Sequence, residues 1–350
     1  MTIKHLVFSG GGPSMIQSVG CLHHLAESGY LEMDKIETVY GTSAGAVVAV
    51  LVGLKYDWTT IRDYIVGRPW HDLFAVKVQG IFEAYAKKGI FDQTTIEKAF
   101  KPLFDAKDIS LKITMKEFYE YSGFDMHLFT FEINDFKVVD ISHTTHPTLP
   151  LMTALHMTCS IPILMTPVCL DRKCYIDGGI ICNYPLKYCL DAGFNEEEVL
   201  GFKNQYDDIT NHIHSESTIL DFILCFLFKV IQSMSLDKIQ PAIKYEVLCC
   251  TNFLSIETIR TAISSTDVRK TLYQNGIDAA IRYLLQPHDI QCDLSVDTKG
   301  VLSVDTKGAL SVDTKGALSV DTKGVLSVDT KGVLSVDTKG ALSVDTKGAL

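Results

Sequence analysis

The sequence carries no excess of positive charge. Its 32 Lys and Arg residues face 42 Asp and Glu, a formal net charge of −10. No overall field draws such a chain to nucleic acid or to an anionic membrane, and pairs such as Lys87-Lys88 and Arg172-Lys173 read as solvated surface. Also missing is any run of about 20 apolar residues, the length that crosses a bilayer. The longest run, TILDFILCFLFKVI at 218–231, is interrupted by Asp221 and Lys229. It reads either as a core helix or as a helix lying at a lipid interface with Phe222 and Phe226 outward. The N-terminus, MTIKHLVFSGGG, has neither the charged lead nor the small-residue cleavage site of a signal peptide and reads as a first strand. The ten cysteines include no C-x-x-C pair, and the loose group Cys169, Cys174, Cys182 and Cys189 matches no zinc spacing. The expectation is therefore a chain without metal or cofactor. Most thiols should act as small buried hydrophobes in a reduced, cytoplasmic compartment.

What is present is a core, since 47% of the residues are hydrophobic, and a short motif at its centre. In IETVYGTSAGA, residues 36–46, Ile36 to Tyr40 reads as a strand and Ala46 to Leu54 as a buried helix. Between them lies Gly41-Thr42-Ser43-Ala44-Gly45. A strand that turns into a helix through Gly-x-Ser-x-Gly is a nucleophile elbow: the turn leaves no room beside the serine, and the serine oxygen sits at a helix N-terminus that favours negative charge. A plain tight connection would look the same in isolation.

Upstream, a strand over 3–8 runs into Ser9-Gly10-Gly11-Gly12-Pro13 and then a helix over 14–27. The dinucleotide fingerprint fails here, because G-x-G-x-x-G needs glycine where Met15 stands. The three glycines instead offer bare N–H groups at a helix N-terminus, as an oxyanion hole requires. Pro13 has no N–H, which leaves Gly10, Gly11 and Gly12. Downstream, short helices fill 58–104. Capping boxes are predicted at Thr94-x-x-Glu97 and Thr114-x-x-Glu117, and a hairpin around Asn134-Asp135. A helix spans 149–159. Two strands at 168–170 and 174–176 then lead into Asp177-Gly178-Gly179, an acid in a loop at a strand end, where open α/β sheets place ligands. Taken alone, Asp-Gly-Gly is an ordinary turn. Strands at 199–203 and 246–250 and a helix over 266–285 complete the domain.

A glycine loop, an exposed serine and an isolated acid each have a part in acyl transfer, as oxyanion hole, nucleophile and base. In that order and spacing the sequence resembles the patatin-like phospholipase family. SGGG at 9–12 resembles its oxyanion loop, GTSAG at 41–45 its elbow, and DGG at 177–179 the acid of its Ser-Asp dyad. ALHMTCSIPILMTPV at 154–168 and Asn183-Tyr184-Pro185 are similar to the intervening and following segments, and the GGGP form resembles that of large-DNA-virus members. The resemblance implies a three-layer α/β/α sandwich with a mostly parallel central sheet over residues 3–290. It also implies phospholipase A type hydrolysis of phospholipid or neutral-lipid esters by Ser43 and Asp177, without metal and with transient peripheral membrane contact. Gly41, Gly45, Gly178 and Gly179 support the elbow and the acid loop. The family commonly has Arg or Lys after the glycines; Ser14 stands there instead, which removes any charge that loop would supply. A histidine triad is the weaker reading. His143, His146 and His156 precede Asp177, the wrong order, and His212, His214 and His288 lie in no recognisable motif. A soluble esterase or thioesterase with the same dyad and a non-catalytic lipid-binding scaffold are the other readings.

From Leu294 the unit LSVDTKG followed by Val or Ala recurs seven times. Each unit holds one Asp and one Lys, so the net charge belongs to residues 1–293. Leu-Ser-Val reads as a short strand and Asp-Thr-Lys-Gly as a turn. With few apolar groups per unit, a flexible tail is expected over 294–350, or an array for a protein partner that the sequence does not identify.

Overall fold

In a computed structural model of the chain, residues 2–75, 78–204, 213–234, 243–250 and 256–286 are described, together with short strands between 295 and 345. The chain forms two compact units, 1–281 and 282–350. The first is a mixed α/β body. In order it contains β1 (His5–Phe8), α1 (Met15–Glu27), β2 (Thr38–Thr42), α2 (Ala44–Gly53), α3 (Trp58–Gly67), α4 (Trp70–Leu73), α5 (Val78–Lys87), β3 (Gly89–Phe91) and α6 (Gln93–Asp105). There follow α7 (Met115–Ser122), β4 (Asp125–Glu132), β5 (Lys137–Ile141), α8 (Leu151–Thr158), β6 (Ile163–Met165), β7 (Val168–Leu170), β8 (Lys173–Asp177) and α9 (Leu186–Asp191). The last are β9 (Val199–Asn204), α10 (Ile219–Met234), β10 (Glu246–Cys250), α11 (Ile256–Ser264) and α12 (Thr266–Leu284).

The central sheet has eight strands in the order β10-β9-β1-β2-β4-β8-β7, with β5 also paired to β4. From β10 to β4 all pairings are parallel; β4–β8, β8–β7 and β4–β5 are antiparallel. Every residue of β1 and β2 is buried, as expected of strands covered on both faces. On one face α9 packs Leu186 and Cys189 against Val7, Tyr40, Phe129 and Val199. On the other, α2 lies so close to β1 that a Cβ on Gly45 would stand 2.4 Å from the Phe8 carbonyl oxygen. The helix–sheet–helix layering and the parallel sheet agree with the sequence reading.

Register is what assembles the site. Gly41 pairs with Phe8, Thr42 with Phe129, and Thr130 with Asp177. β2 and β8 thus run toward one another along the same edge of β4, their C-terminal ends meeting at Thr42 and Asp177 with the end of β1 alongside, and the turns that follow them meet.

Several local expectations hold. Thr114 and Glu117 form a full capping box at α7. The Thr94 box does not form: Asp92 caps α6 by accepting from the Thr94 amide at 3.0 Å, because an acid two residues earlier reaches the first turn better than the threonine. Cys169 and Cys174, opposite one another in the β7–β8 hairpin, are joined in a disulfide. Cys159, Cys189 and Cys249 are free thiols. The disulfide departs from the expectation of reduced cysteines, most of them buried thiols, since only strand register, which cysteine spacing does not encode, brings the pair together. Among the described residues no helix is long and apolar enough to cross a membrane.

In the second unit, Leu-Ser-Val segments of the repeats are strands. Residues 302–304 pair in parallel with 318–320, and 310–312 with 326–328, in each case two repeat units apart. The end pairs, 295–296 with 302–303 and 333–336 with 342–345, are antiparallel.

Candidate active site

β2 ends at Thr42 and α2 begins at Ala44, so the strand-to-helix reversal falls on Ser43 alone. Its φ of 52° and ψ of −120° are a strained conformation for a residue with a side chain. The surroundings impose it. The Ser43 amide donates to Thr158 Oγ1 at 2.8 Å, and the Thr158 hydroxyl donates to the Phe129 carbonyl at 2.5 Å. The serine backbone is thereby tied to the end of α8 and to β4.

The same geometry aims the side chain. Ser43 Oγ donates to Asp177 Oδ2 at 2.6 Å across 134 residues of sequence. The other carboxylate oxygen, Oδ1, accepts from the Gly179 amide at 2.7 Å. Asp177 is only 4% exposed, and burial pushes its carboxyl up to about 7 despite the bonds from Ser43 and Gly179, which favour the charged form. A carboxyl poised there can take a proton from an alcohol and return it near neutral pH. Cys159 lies beside the pair; burial and then the Asp177 charge hold its thiol well above the usual range, so it stays neutral.

The remaining glycines make room. Gly41 and Gly45 flank the elbow, Gly178 presses on the Phe129 carbonyl, and Gly179 supplies the amide to Asp177. At Gly10 a Cβ would meet Asn183 Oδ1 at 2.5 Å and Ser43 Cβ at 3.2 Å, so the loop after β1 passes directly over the nucleophile.

Of the three candidate oxyanion donors, Gly10 is already engaged: its amide donates to the Asn183 carbonyl at 2.9 Å. The amides of Gly11 and Gly12 have no acceptor among the described residues, and Gly12, with φ of 55°, lines the cavity beside Ser43. The Ala44 amide, at the start of α2, is also without one. Two asparagines absent from the sequence reading as site residues hold the loop. Asn183 Nδ2 and Asn204 Nδ2 both donate to the Gly10 carbonyl, at 3.3 and 2.9 Å. Asn204 Nδ2 also donates to Ser14 Oγ at 2.8 Å. Ser14, in the position of the family's basic residue, is buried and braces the loop through its hydroxyl. The nearest sequence signal for these braces was the Asn183-Tyr184-Pro185 segment; nothing marked Asn204 or Thr158.

No histidine among the described residues is hydrogen-bonded to Ser43 or Asp177. His143 bonds to Asp125 and stacks on Tyr119, and His156 faces Thr166. His146 bonds to Thr145, and His214 is exposed. His212 and His288 lie outside the described residues. The described residues also contain no group of three His, Cys, Asp or Glu suited to a metal ion.

Ser43 opens into a cavity of about 320 Å³ walled by α2, α3, α6, α8 and α11. Its lining is aliphatic and aromatic apart from a few side chains, among them Arg269. All of that guanidinium's hydrogen bonds run to Val66, Arg68, Ala262 and Ile263 carbonyls and to Thr266 Oγ1. The cavity is thus built for apolar matter held against a serine.

Known proteins are similar to this chain in sequence. The chain is 27% identical over 185 residues to the probable lipid hydrolase 463L of Invertebrate iridescent virus 6, covering 52% of this chain and 62% of that protein. It is 24% identical over 184 residues to the uncharacterized protein R571 of Acanthamoeba polyphaga mimivirus, covering 53% and 60%. Both relatives come from large DNA viruses, and the chain spans less than two thirds of either. Among solved structures, VipD from Legionella pneumophila aligns over 81% of this chain and 67% of its own, with a TM-score of 0.46 at 15% identity. ExoU of Pseudomonas aeruginosa in complex with SpcU aligns over 81% and 53%, with a TM-score of 0.40 at 13% identity. The sequence model of one family, described as patatin-like phospholipase, matches residues 6–190, more than half of the chain. The chain belongs to the patatin-like phospholipase family.

Proposed function

We propose that the protein is a lipid acyl hydrolase of phospholipase A type, acting through a Ser43–Asp177 dyad. The observation that carries this reading is the 2.6 Å hydrogen bond from Ser43 Oγ to a buried carboxylate at the mouth of an apolar cavity. Ser43 Oγ attacks the ester carbonyl as its proton passes to Asp177 Oδ2. The tetrahedral oxyanion is held by the Gly11 and Gly12 amides, with the α2 N-terminus adding its dipole. Collapse breaks the bond to the alcohol, which leaves with the proton from Asp177. Water, deprotonated by Asp177, then attacks the acyl-serine, and as the acyl–Oγ bond breaks Asp177 returns the proton to Ser43 Oγ, releasing the fatty acid. No step calls on a metal or cofactor. Family membership and the viral lipid hydrolase relative support the lipid substrate.

The test is labelling of the intact protein with a fluorophosphonate, which reacts only with an activated serine, followed by mapping of the modified peptide. Label on Ser43, absent in Ser43→Ala, is expected. A folded protein that takes no label would sink the dyad in favour of a non-catalytic lipid-binding scaffold.

Substrate in a bilayer requires contact with its surface. Along α10, Ile219 and Phe226 are 78% and 62% exposed, with Phe222 and Ile223 between them, and the helix packs against the acid turn Gly178–Ile180. We assign membrane contact to this face. With a net charge of −10 on the chain, binding should rest on apolar insertion. Sedimentation with phosphatidylcholine vesicles should therefore be insensitive to salt and weakened several-fold by Phe222→Ser together with Phe226→Ser. Binding that needs anionic lipid would reject this face.

A further inference from the structure

The cavity has a direction and an end. Ser43 caps α2, and Val47 and Leu51, one and two turns farther along the same helix, also line the cavity. Eight residues at a rise of about 1.5 Å place Leu51 about 12 Å from the nucleophile. Leu54, next on that face, is wholly buried and lies outside the cavity. The opposite wall is α6, whose Leu103 lines the cavity. The Leu103 carbonyl accepts from the Tyr56 hydroxyl at 2.6 Å, which fixes that wall to the chain just beyond the end of α2. Leu51 on α2 and Leu103 on α6 are therefore the farthest residues along those two helices that the cavity reaches, both 4% exposed. Arg269 presents no spare donor to the interior, so the cavity away from Ser43 has no free positive group for a phosphate. What fits is a single hydrocarbon chain, extending from a carbonyl at Ser43 along α2.

Resting on the hydrolase reading above, we propose that this pocket selects medium-length acyl chains and that Leu51, together with Leu103, sets the limit. An extended chain built from C–C bonds of about 1.5 Å advances about 1.3 Å per methylene. A depth of about 12 Å then holds about ten carbons, giving a preferred range of roughly eight to twelve. A longer chain must bend back or leave its end in water, forfeiting the burial that would have bound it. Leu51 and Leu103 are specificity-determining residues; neither touches the reacting atoms.

The test is a series of p-nitrophenyl esters from butyrate to palmitate, presented to the full-length protein in mixed micelles. The expected profile of kcat/KM peaks near decanoate and falls at least about tenfold by palmitate, the scale on which a pocket rejects surplus methylenes. Leu51→Phe should raise the ratio of hexanoate to dodecanoate rates by about tenfold. Leu51→Ala and Leu103→Ala should move the peak to longer chains. Because a ratio is read, a general loss of fold or activity does not mimic the result. A profile flat through palmitate, or variants that scale every chain length alike, would overturn the proposal. Calorimetric binding of decanoate against palmitate to the Ser43→Ala variant reads the pocket without catalysis. Tighter binding of decanoate with no ester hydrolysis in the wild type would defeat the hydrolase reading and leave the pocket standing. Equal or tighter binding of palmitate would defeat the pocket.

Discussion

Asp177→Asn should lower kcat/KM for ester hydrolysis by about 10³ to 10⁴-fold, the scale on which a general base and its orientation contribute. The substitution is close to isosteric. The asparagine carbonyl oxygen can accept from the Gly179 amide as Oδ1 does now, and its NH₂ can donate to Ser43 Oγ in place of the present acceptance at 2.6 Å. No cavity opens, so the loss of activity is a loss of basicity. In the wild type kcat/KM should fall about tenfold per pH unit below about 7, because burial holds the Asp177 carboxyl at about 7 and only its ionised form accepts the serine proton. A pH-independent rate down to pH 5 would remove Asp177 from the role of base.

The same variant should be more stable than the wild type. A carboxyl at about 7 in the fold and about 3.9 in the unfolded chain binds its proton more tightly when folded. Its ionised form is therefore a burden, absent near pH 4, growing as pH rises and complete above about pH 8. Three units correspond to at most about 4 kcal/mol. Asparagine carries none of it, so the gain in melting temperature should be near zero at pH 4 and several degrees at pH 8. On the dyad reading, this charge and the strained φ of Ser43 are stability given up for chemistry at the centre of the fold.

Much of the fold was legible in the chain because its elements are strongly patterned. The buried runs of β1, β2 and β9 could only be strands of a covered sheet, and glycine on both sides of Ser43 marked a reversal too tight for side chains. Site residues identified by reactive type, Ser43 and Asp177, are brought together by the structure. Residues that act through register were not legible. Thr158 holds the serine amide only because α8 ends beside β4, and Asn204 reaches the Gly10 carbonyl only because β9 pairs with β1. Register also decides which amides are free. The run Gly10-Gly11-Gly12 gives no hint that the first of them is spent on Asn183. Side chains supporting helix contacts were equally silent: a Cβ on Gly20 would stand 2.2 Å from the Tyr273 carbonyl oxygen, so α1 and α12 touch at backbone level without any motif announcing it.

Gly178→Ala should also cut activity, by less than loss of the base does and by a different route. A Cβ at this position would lie 2.2 Å from the Phe129 carbonyl oxygen and 2.7 Å from its carbon, contacts with backbone that has no freedom to yield. Phe129 and Thr130 are wholly buried in β4, which pairs with β5 along one edge and with β2 and then β8 along the other. The strand cannot retreat, so the acid turn must. Relieving a contact of that kind takes a shift of about 1 Å, and misplacing a catalytic group by that much costs on the order of 10²-fold in rate. Here the shift falls one residue from Asp177 and lengthens its bond to Ser43. Overpacking of this sort should also cost about 2–3 kcal/mol of stability. Gly67→Ala, in α3 where a Cβ meets nothing within 4 Å, is the matched control and should be neutral or slightly stabilising. The two variants differ from the wild type by the same methyl group. If both melted and turned over alike, close contact between the acid turn and β4 would not be what positions Asp177.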